Sequence, residues 1–230
     1  MQAVILAAGR GTRMGKLTEN LPKPMLEVAG KSLLEHKFDA LPEEVDEIII
    51  VTGYLGEKIR EKFGDSYNGK KITYVEQPNI TGGTLDALIQ ARPFLHDRFF
   101  VLYGDDIYRA QALKDCLPCE WAVVVKKSDN LASAASVVVE NGFVREILEK
   151  EEHDGGAGYA NTGLYLLDMR IFEYAPVVKD AHSSEIGLPQ TMATAANDIR
   201  IAAVETDEWF VITAPEDIER AEKEMKERKN

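Results

Sequence analysis

The first half of the chain alternates between two hydrophobic periodicities. Residues 2–7, 47–51 and 99–103 are short, nearly continuous apolar runs. Runs of this length without polar alternation are expected of strands in a parallel sheet covered on both faces. Between them, apolar positions recur at helical spacing. Residues 32–41 place Leu33, Leu34, Phe38 and Leu41 on one face. Residues 55–63 read as a helix stopped by Gly64, and 84–92 as a helix entered through Gly82-Gly83-Thr84. With a further strand at 71–76, strand and helix alternate as far as residue 106. That order predicts an α/β fold with a doubly wound, Rossmann-like, mostly parallel sheet.

After residue 106 the pattern changes. Strands are predicted at 121–125, 136–140, 143–148, 159–167 and 199–204. Asn141-Gly142 marks a two-residue hairpin between the second and third of these. A helix is expected over 185–197, although Gly187 and Pro189 weaken its first turn. A last helix opens at Pro215-Glu216-Asp217 and closes with Lys226, Arg228 and Lys229, an arrangement that suits the helix dipole at both ends. The second half is therefore expected to turn the sheet mixed, with an antiparallel hairpin excursion. No linker or repeat interrupts residues 1–230, so one domain is expected, built from the halves 1–106 and 107–230.

Composition narrows the setting. The chain has 230 residues, 45% of them hydrophobic, enough for a sizeable core. No apolar run approaches transmembrane length, and the N-terminus enters a strand directly, with no basic leader. A cytoplasmic protein without a membrane partner is the expectation. A formal charge of −12 argues against a broad nucleic-acid surface. The only cysteines, Cys116 and Cys119, form a C-x-x-C with no second pair to complete a structural zinc site. His36, His96, His153 and His182 show no metal-ligand spacing.

One stretch departs from the acidic background. Residues 1–25 hold Arg10, Arg13, Lys16 and Lys23 against the single acid Glu19. Within them, Leu6-Ala7-Ala8-Gly9-Arg10-Gly11-Thr12-Arg13-Met14 follows the first strand, and Pro22-Lys23-Pro24 comes after it. Gly9 and Gly11 permit a turn whose clustered N–H groups form an anion-binding concavity. The stretch is neither of two common phosphate motifs. G-x-G-x-x-G would need glycine at Met14, and a P-loop would need four residues between its glycines and Ser or Thr after Lys16. In an open α/β sheet, ligands sit beyond the carboxyl ends of the strands. There the glycine loop, the loop 77–84 and Asp105-Asp106 would converge. A bound polyphosphate, with a divalent cation held by carboxylate, fits those residue types.

The pattern L-A-A-G-x-G-T-R-M with a later P-K-P resembles the sugar-1-phosphate nucleotidylyltransferases, such as the glucose-1-phosphate thymidylyl- and uridylyltransferases. The resemblance continues through Gln77-Pro78 with Gly82-Gly83-Thr84, Tyr103-Gly104-Asp105-Asp106, Leu148-Glu149-Lys150, and Asn161-Thr162-Gly163-Leu164-Tyr165. It implies the fold of the nucleotide-diphospho-sugar transferases, a nucleotide-binding first half and a sugar-binding second half. It implies transfer of a nucleotidyl group from a nucleoside triphosphate, UTP or dTTP favoured, to a sugar 1-phosphate, with release of pyrophosphate. By the same resemblance Leu6, Ala8, Gly9, Gly11, Thr12 and Arg13 meet the triphosphate. Gln77, Gly83 and Thr84 meet the nucleoside, with Gln77 and the Gly83 backbone on the pyrimidine edge. Arg13, Lys23, Asp105 and Lys150 carry the chemistry. Glu149, Lys150 and Asn161 hold the sugar phosphate, and Asp105 with Asp106 holds Mg²⁺.

The chain departs from this pattern near its end. Val211 stands where the family usually has a second metal-binding Asp, and Thr213 where it has Gly; Ala134 stands where a sugar contact is often Gly. Asp207 is one acid that could substitute for the missing carboxylate. Two alternatives stay open: a cytidylyltransferase for a non-sugar phosphate such as phosphocholine, and a nucleotide or sugar-nucleotide sensor without turnover. The chain ends soon after the last helix, which sets the expectation of no appended β-helix acyltransferase domain. Base, sugar and homo-oligomeric state stay open.

Overall fold

The computed structural model describes all residues except 133, 150, 151, 180–182, 229 and 230. Strand β1 (Gln2–Ala7) opens the chain, and the ribbon β2 (Glu27–Val28) and β3 (Lys31–Ser32) leads into α1 (Leu33–Ala40). Then come β4 (Glu47–Thr52), α2 (Gly56–Phe63), β5 (Ser66–Tyr67), β6 (Lys70–Glu76), α3 (Thr84–Ala91) and β7 (Arg98–Tyr103). The second half runs β8 (Asp106–Tyr108), α4 (Ala110–Cys116), β9 (Trp121–Ser128), β10 (Ser136–Glu140), β11 (Phe143–Leu148) and β12 (Gly158–Asp168). It closes with α5 (Leu188–Ala195), β13 (Ile201–Glu205), β14 (Trp209–Val211) and α6 (Pro215–Glu227).

Ten strands form one sheet in the order β10-β11-β13-β9-β12-β7-β1-β4-β6-β5. The run β7-β1-β4-β6 is parallel. Strand β12 is antiparallel to both its neighbours, β7 and β9, and joins the two halves into one sheet. The β10–β11 hairpin turns at Asn141-Gly142, both at positive φ, as the sequence predicts. Helices cover both faces. Leu34 and Phe38 of α1, Ile59 and Phe63 of α2 and Leu113 and Cys116 of α4 cover one face, against residues such as Ile5, Ile50 and Leu102. Leu85 and Leu88 of α3 and Leu188 and Met192 of α5 cover the other, against Val4, Val51 and Val101. Among the described residues no helix is long and apolar enough to cross a membrane.

A third, smaller cluster positions the site. Met14, Leu26, Val28, Leu33, Ile107, Phe210, Ile212 and Ala221 bury one another at the end of the sheet. They gather the N-terminal loop, the β8–β14 ribbon and α6 around the carboxyl ends of β1 and β7.

Two local differences from the sequence reading have physical causes. The helix expected over 185–197 starts at Leu188, because Gly187 is extended and Pro189 occupies its first turn. The residues before it instead clamp α3: Ile186 N–H donates to Gly82 O at 2.9 Å and Leu85 N–H to Ile186 O at 3.1 Å. Helix α4 was not foreseen, since seven residues are too few for a periodic signal. It buries Cys116, whose thiol donates to Ala112 O and is pushed upward in pKa by burial.

Helix α1 shows how local sequence sets an element. Ser32 Oγ accepts from Glu35 N–H at 3.3 Å, and Glu35 Oε2 accepts from Ser32 N–H at 2.8 Å, a reciprocal capping box. Burial pushes the Glu35 carboxyl up, but Ser32 and Lys62 together hold it down at about 2. We expect Ser32→Ala to lower stability by about 1 kcal/mol. Urea unfolding should show the midpoint falling with an unchanged slope.

Candidate active site

After β1 the chain builds outward through α1 to β4 and through α2 to β6. It then crosses by α3 to β7, on the other side of β1. The strand order reverses between β1 and β7, and their carboxyl ends flank a crevice of the kind that takes ligands in such sheets. A cleft of about 900 Å³ opens there.

The glycine loop forms one wall. Gly11 adopts φ 63°, and a Cβ on it would lie 2.8 Å from Lys23 Cβ, so this position needs glycine twice over. Thr18 Oγ1 holds the turn from beneath by donating to Gly11 O at 3.0 Å. Met14 is 1% exposed and anchors the following turn in the small cluster, while its neighbour Arg13 is exposed and lines the cleft. Among the described residues, no N–H from Gly9 to Arg13 donates to another backbone group. Consecutive free amides of this kind form an anion-binding nest. Arg10 is held aside, its guanidinium 5.1 Å from the Tyr54 ring centroid.

The floor is made by Lys23 and Asp105. Gly104 N–H donates to Leu6 O at 2.9 Å, and a Cβ on Gly104 would meet that oxygen at 2.6 Å. This close approach brings Asp105 beside the loop. Lys23 Nζ lies 2.7 Å from Asp105 Oδ2, with the lysine side chain 7% exposed and the aspartate 37%.

Asp106 faces the other way. It begins β8, is 6% exposed, and accepts from the Trp209 indole N–H at 3.0 Å. Beneath it lies Lys37 of α1, which has no exposed surface. Its ammonium donates to Asp106 O and Leu33 O and sits 5.8 Å from the Tyr108 ring centroid. Burial, reinforced by the Asp105 charge, pushes the Asp106 carboxyl up to about 7, against the pull of Lys37. Burial likewise pushes Lys37 down to about 8.

The far end of the cleft is polar. Asn161 Oδ1 accepts from Gly163 N–H and from Tyr165 Oη, both at 3.1 Å, which turns its amide nitrogen toward the cleft. Gln190 Nε2 donates to Glu149 Oε1 at 2.5 Å. On the side wall, Gln77 and Gly83 line the cleft, and Thr84 uses its hydroxyl to accept from Leu188 N–H at 2.9 Å.

With this geometry in place, comparison with known proteins is decisive. The Nucleotidyl transferase family profile matches residues 2–228. The chain belongs to the nucleotidyl transferase family. The UTP--glucose-1-phosphate uridylyltransferase AglF of Haloferax volcanii is 34% identical over 239 residues, covering 99% of this chain and 97% of that one. The bifunctional protein GlmU of Methanocaldococcus jannaschii is 33% identical over 233 residues, covering 100% of this chain and 55% of GlmU. The chain thus spans about half the length of the GlmU relatives and nearly all of AglF. A Bacillus anthracis protein described as a glucose-1-phosphate thymidylyltransferase, solved with sucrose, superposes with a TM-score of 0.83 at 25% identity. That match covers 97% of this chain and 94% of the other.

In this nucleotidyl transferase the sequence-predicted residues Leu6, Ala8, Gly9, Gly11, Thr12, Arg13, Lys23, Gln77, Gly83, Thr84, Asp105, Glu149 and Asn161 all line the one cleft. Lys150 lies outside the described residues. Two expectations are corrected. Asp106 does not line the cleft beside Asp105; it is buried against Trp209 and Lys37. Asp207 does not replace the missing carboxylate, because it pairs with Arg109 at 3.3 Å away from the cleft lining. Val211 and Thr213 do face the cleft. Sequence reasoning missed Lys126, Lys127, Lys179, Gln190 and Arg220, which also line it. Of these only Lys126-Lys127, directly after an apolar strand, carried a positional signal.

Among the described residues no three His, Cys, Asp or Glu side chains gather as a metal cluster. Magnesium needs none, since one or two carboxylates with phosphate oxygens and water suffice. Asp105, open to the cleft, fits that minimal set.

The Lys37–Asp106 pair gives a pH test. A carboxyl whose folded pKa is raised makes the folded state the better proton binder, so its contribution to stability is lost as pH rises toward that pKa. Removing Lys37 would raise it further. We expect Lys37→Met to cost about 3–5 kcal/mol at pH 7.5, with a smaller loss at pH 5.5, where Asp106 is neutralised by a proton. Urea unfolding at the two pH values reads the difference; equal losses would contradict the coupling.

Proposed function

We propose that the chain joins a pyrimidine nucleoside triphosphate, UTP or dTTP, to a sugar 1-phosphate, giving a nucleotide-sugar and pyrophosphate. One observation carries this reading. A single cleft gathers the free amides of residues 9–13 after β1, Lys23 with Asp105 after β7, and Asn161 of β12, in the strand order β1-β7-β12. That order matches a triphosphate, a sugar phosphate and the phosphorus where they meet. The relative AglF is named for UTP and glucose 1-phosphate, which makes that pair the first to assay.

In the reaction, a sugar phosphate oxygen attacks the α-phosphorus in line and the bond to the β-phosphate oxygen breaks. Pyrophosphate leaves with the electron pair, and no covalent enzyme intermediate is needed. Catalysis is positioning and charge neutralisation. The amides of Gly9 to Arg13 and the Arg13 guanidinium receive the β- and γ-phosphates; a planar multidentate donor suits the departing pyrophosphate. Lys23 bridges the α-phosphate and the incoming phosphate. Asn161 donates to sugar hydroxyls, and Glu149 accepts from them. Lys150 is assigned to the sugar phosphate by resemblance. Asp105 would hold Mg²⁺, which when bound screens the negative charges that must approach one another.

Arg13→Ala should lower turnover at least ~100-fold with an unchanged melting temperature, the effect of losing ~3 kcal/mol of transition-state contact. Pyrophosphate release with UTP and glucose 1-phosphate is the assay. Undiminished turnover in the folded variant would remove the loop from the mechanism. Val211 also supports the sensor reading, for which triphosphate binding without pyrophosphate release would decide.

Val211 is half-buried at the cleft, and its backbone pairs with Asp106 across the β8–β14 ribbon. Val211→Asp should add a carboxylate to the cleft lining that Asp105 also reaches. The free Mg²⁺ needed for half-maximal rate should fall roughly tenfold, equivalent to ~1.4 kcal/mol. A variant that melts lower and shows an unshifted Mg²⁺ titration would place residue 211 away from the metal.

A further inference from the structure

Gln77 extends from the end of β6 and is 4% exposed, yet it reaches the cleft. Its backbone is fixed by a 2.8 Å bond from its N–H to Thr52 O. Its side-chain Nε2 donates to Asp86 Oδ2 at 2.8 Å and to Gly83 O at 3.2 Å. A carboxylate and a peptide carbonyl can only accept hydrogen bonds. The two partners therefore settle which end of the amide faces them, a question that atom positions alone leave open. The nitrogen must turn inward and Oε1 must turn to the cleft. Asp86 itself does not line the cleft; it sits in the first turn of α3 and acts through Gln77.

We infer that Asp86 is a positioning residue that sets base preference by holding the Gln77 amide with its oxygen toward the base. The inference rests on the reading of Gln77 and Gly83 as the base site. Beside that acceptor is a donor, because the Gly83 N–H has no backbone acceptor among the described residues. Uracil and thymine present an N3–H flanked by carbonyl oxygens and fit an acceptor placed next to a donor. Cytosine presents an unprotonated N3, which would set one lone pair against another. Sliding cytosine along its edge to offer the 4-amino group is opposed by the triphosphate, anchored on the amides of residues 9–13. Asn at position 86 could present either an N–H or an oxygen, and the Gln77 amide would be free to reverse.

The test compares kcat/KM for UTP and CTP, each with glucose 1-phosphate, in the wild type and in Asp86→Asn. The wild type should favour UTP. Asp86→Asn should lower the UTP/CTP ratio about tenfold, the scale of one mispaired hydrogen bond, through KM for both nucleotides. Its kcat with UTP and its melting temperature should stay close to wild type. A merely structural role would depress both nucleotides together and leave the ratio alone. If Asp86→Asn does not fold, Asp86→Ser is read by the same ratio. Gln77→Ala separates the two readings. If it moves neither the ratio nor KM for UTP, the base-site assignment fails. If the ratio moves with Gln77 and not with Asp86, or if the wild type uses CTP as well as UTP, the Asp86 inference is overturned.

Discussion

The contact on which the site depends is the 2.7 Å ion pair between Lys23 and Asp105, residues 82 positions apart. It ties the loop after β1 to the end of β7, across the point where the strand order reverses. Neither residue could hold its position alone. Lys23 is set by Pro22 and Pro24 in a single tight turn, and Asp105 by the close approach of Gly104 to Leu6. The small cluster of Met14, Leu26, Ile107, Phe210 and Ile212 then fastens both segments to α6 and the β8–β14 ribbon. Loops that must present charges to a ligand have few apolar contacts of their own. Here the anchoring is done by the side chain next to each functional one, Met14 beside Arg13 and the buried Asp106 beside Asp105.

Two adjacent carboxylates thus have opposite roles. Asp105 is open to the cleft and chemically available. Asp106 is built into the floor, with Trp209 and Lys37 as its partners. Lys37 bonds the peptide carbonyl of Asp106 rather than its carboxylate, so the segment carrying Asp105 has little freedom to move.

The charge distribution follows the same logic. The chain is at −12, yet the cleft lining is near balance, with Arg13, Lys23, Lys126, Lys127, Lys179 and Arg220 against Asp105, Glu149, Glu185, Asp217 and Glu224. Free amides with cations placed among them can bind a polyphosphate in a protein that repels anions elsewhere. Net charge speaks to nonspecific partners, whereas the cleft speaks to the ligand.

Much was legible in the sequence wherever the governing interaction is local. The apolar runs of β1, β4 and β7, the Asn141-Gly142 turn and the glycine loop each depend on neighbours within a few positions. Their spacing and residue types were enough to predict a doubly wound sheet and an anion site after its first strand. Tertiary structure decided what depends on distant partners. Lys37 reads as a polar position on an amphipathic helix, and only the packing of α1 under β8 buries it. Asp105 and Asp106 read as equivalent until pairing of β8 with β14 assigns one to each side. Gln190 and Asp86 carry no local signal, because each gains its role from a partner 41 or 9 residues away. Side-chain direction at a site is set by what lies across it, and that is the property a linear pattern cannot encode.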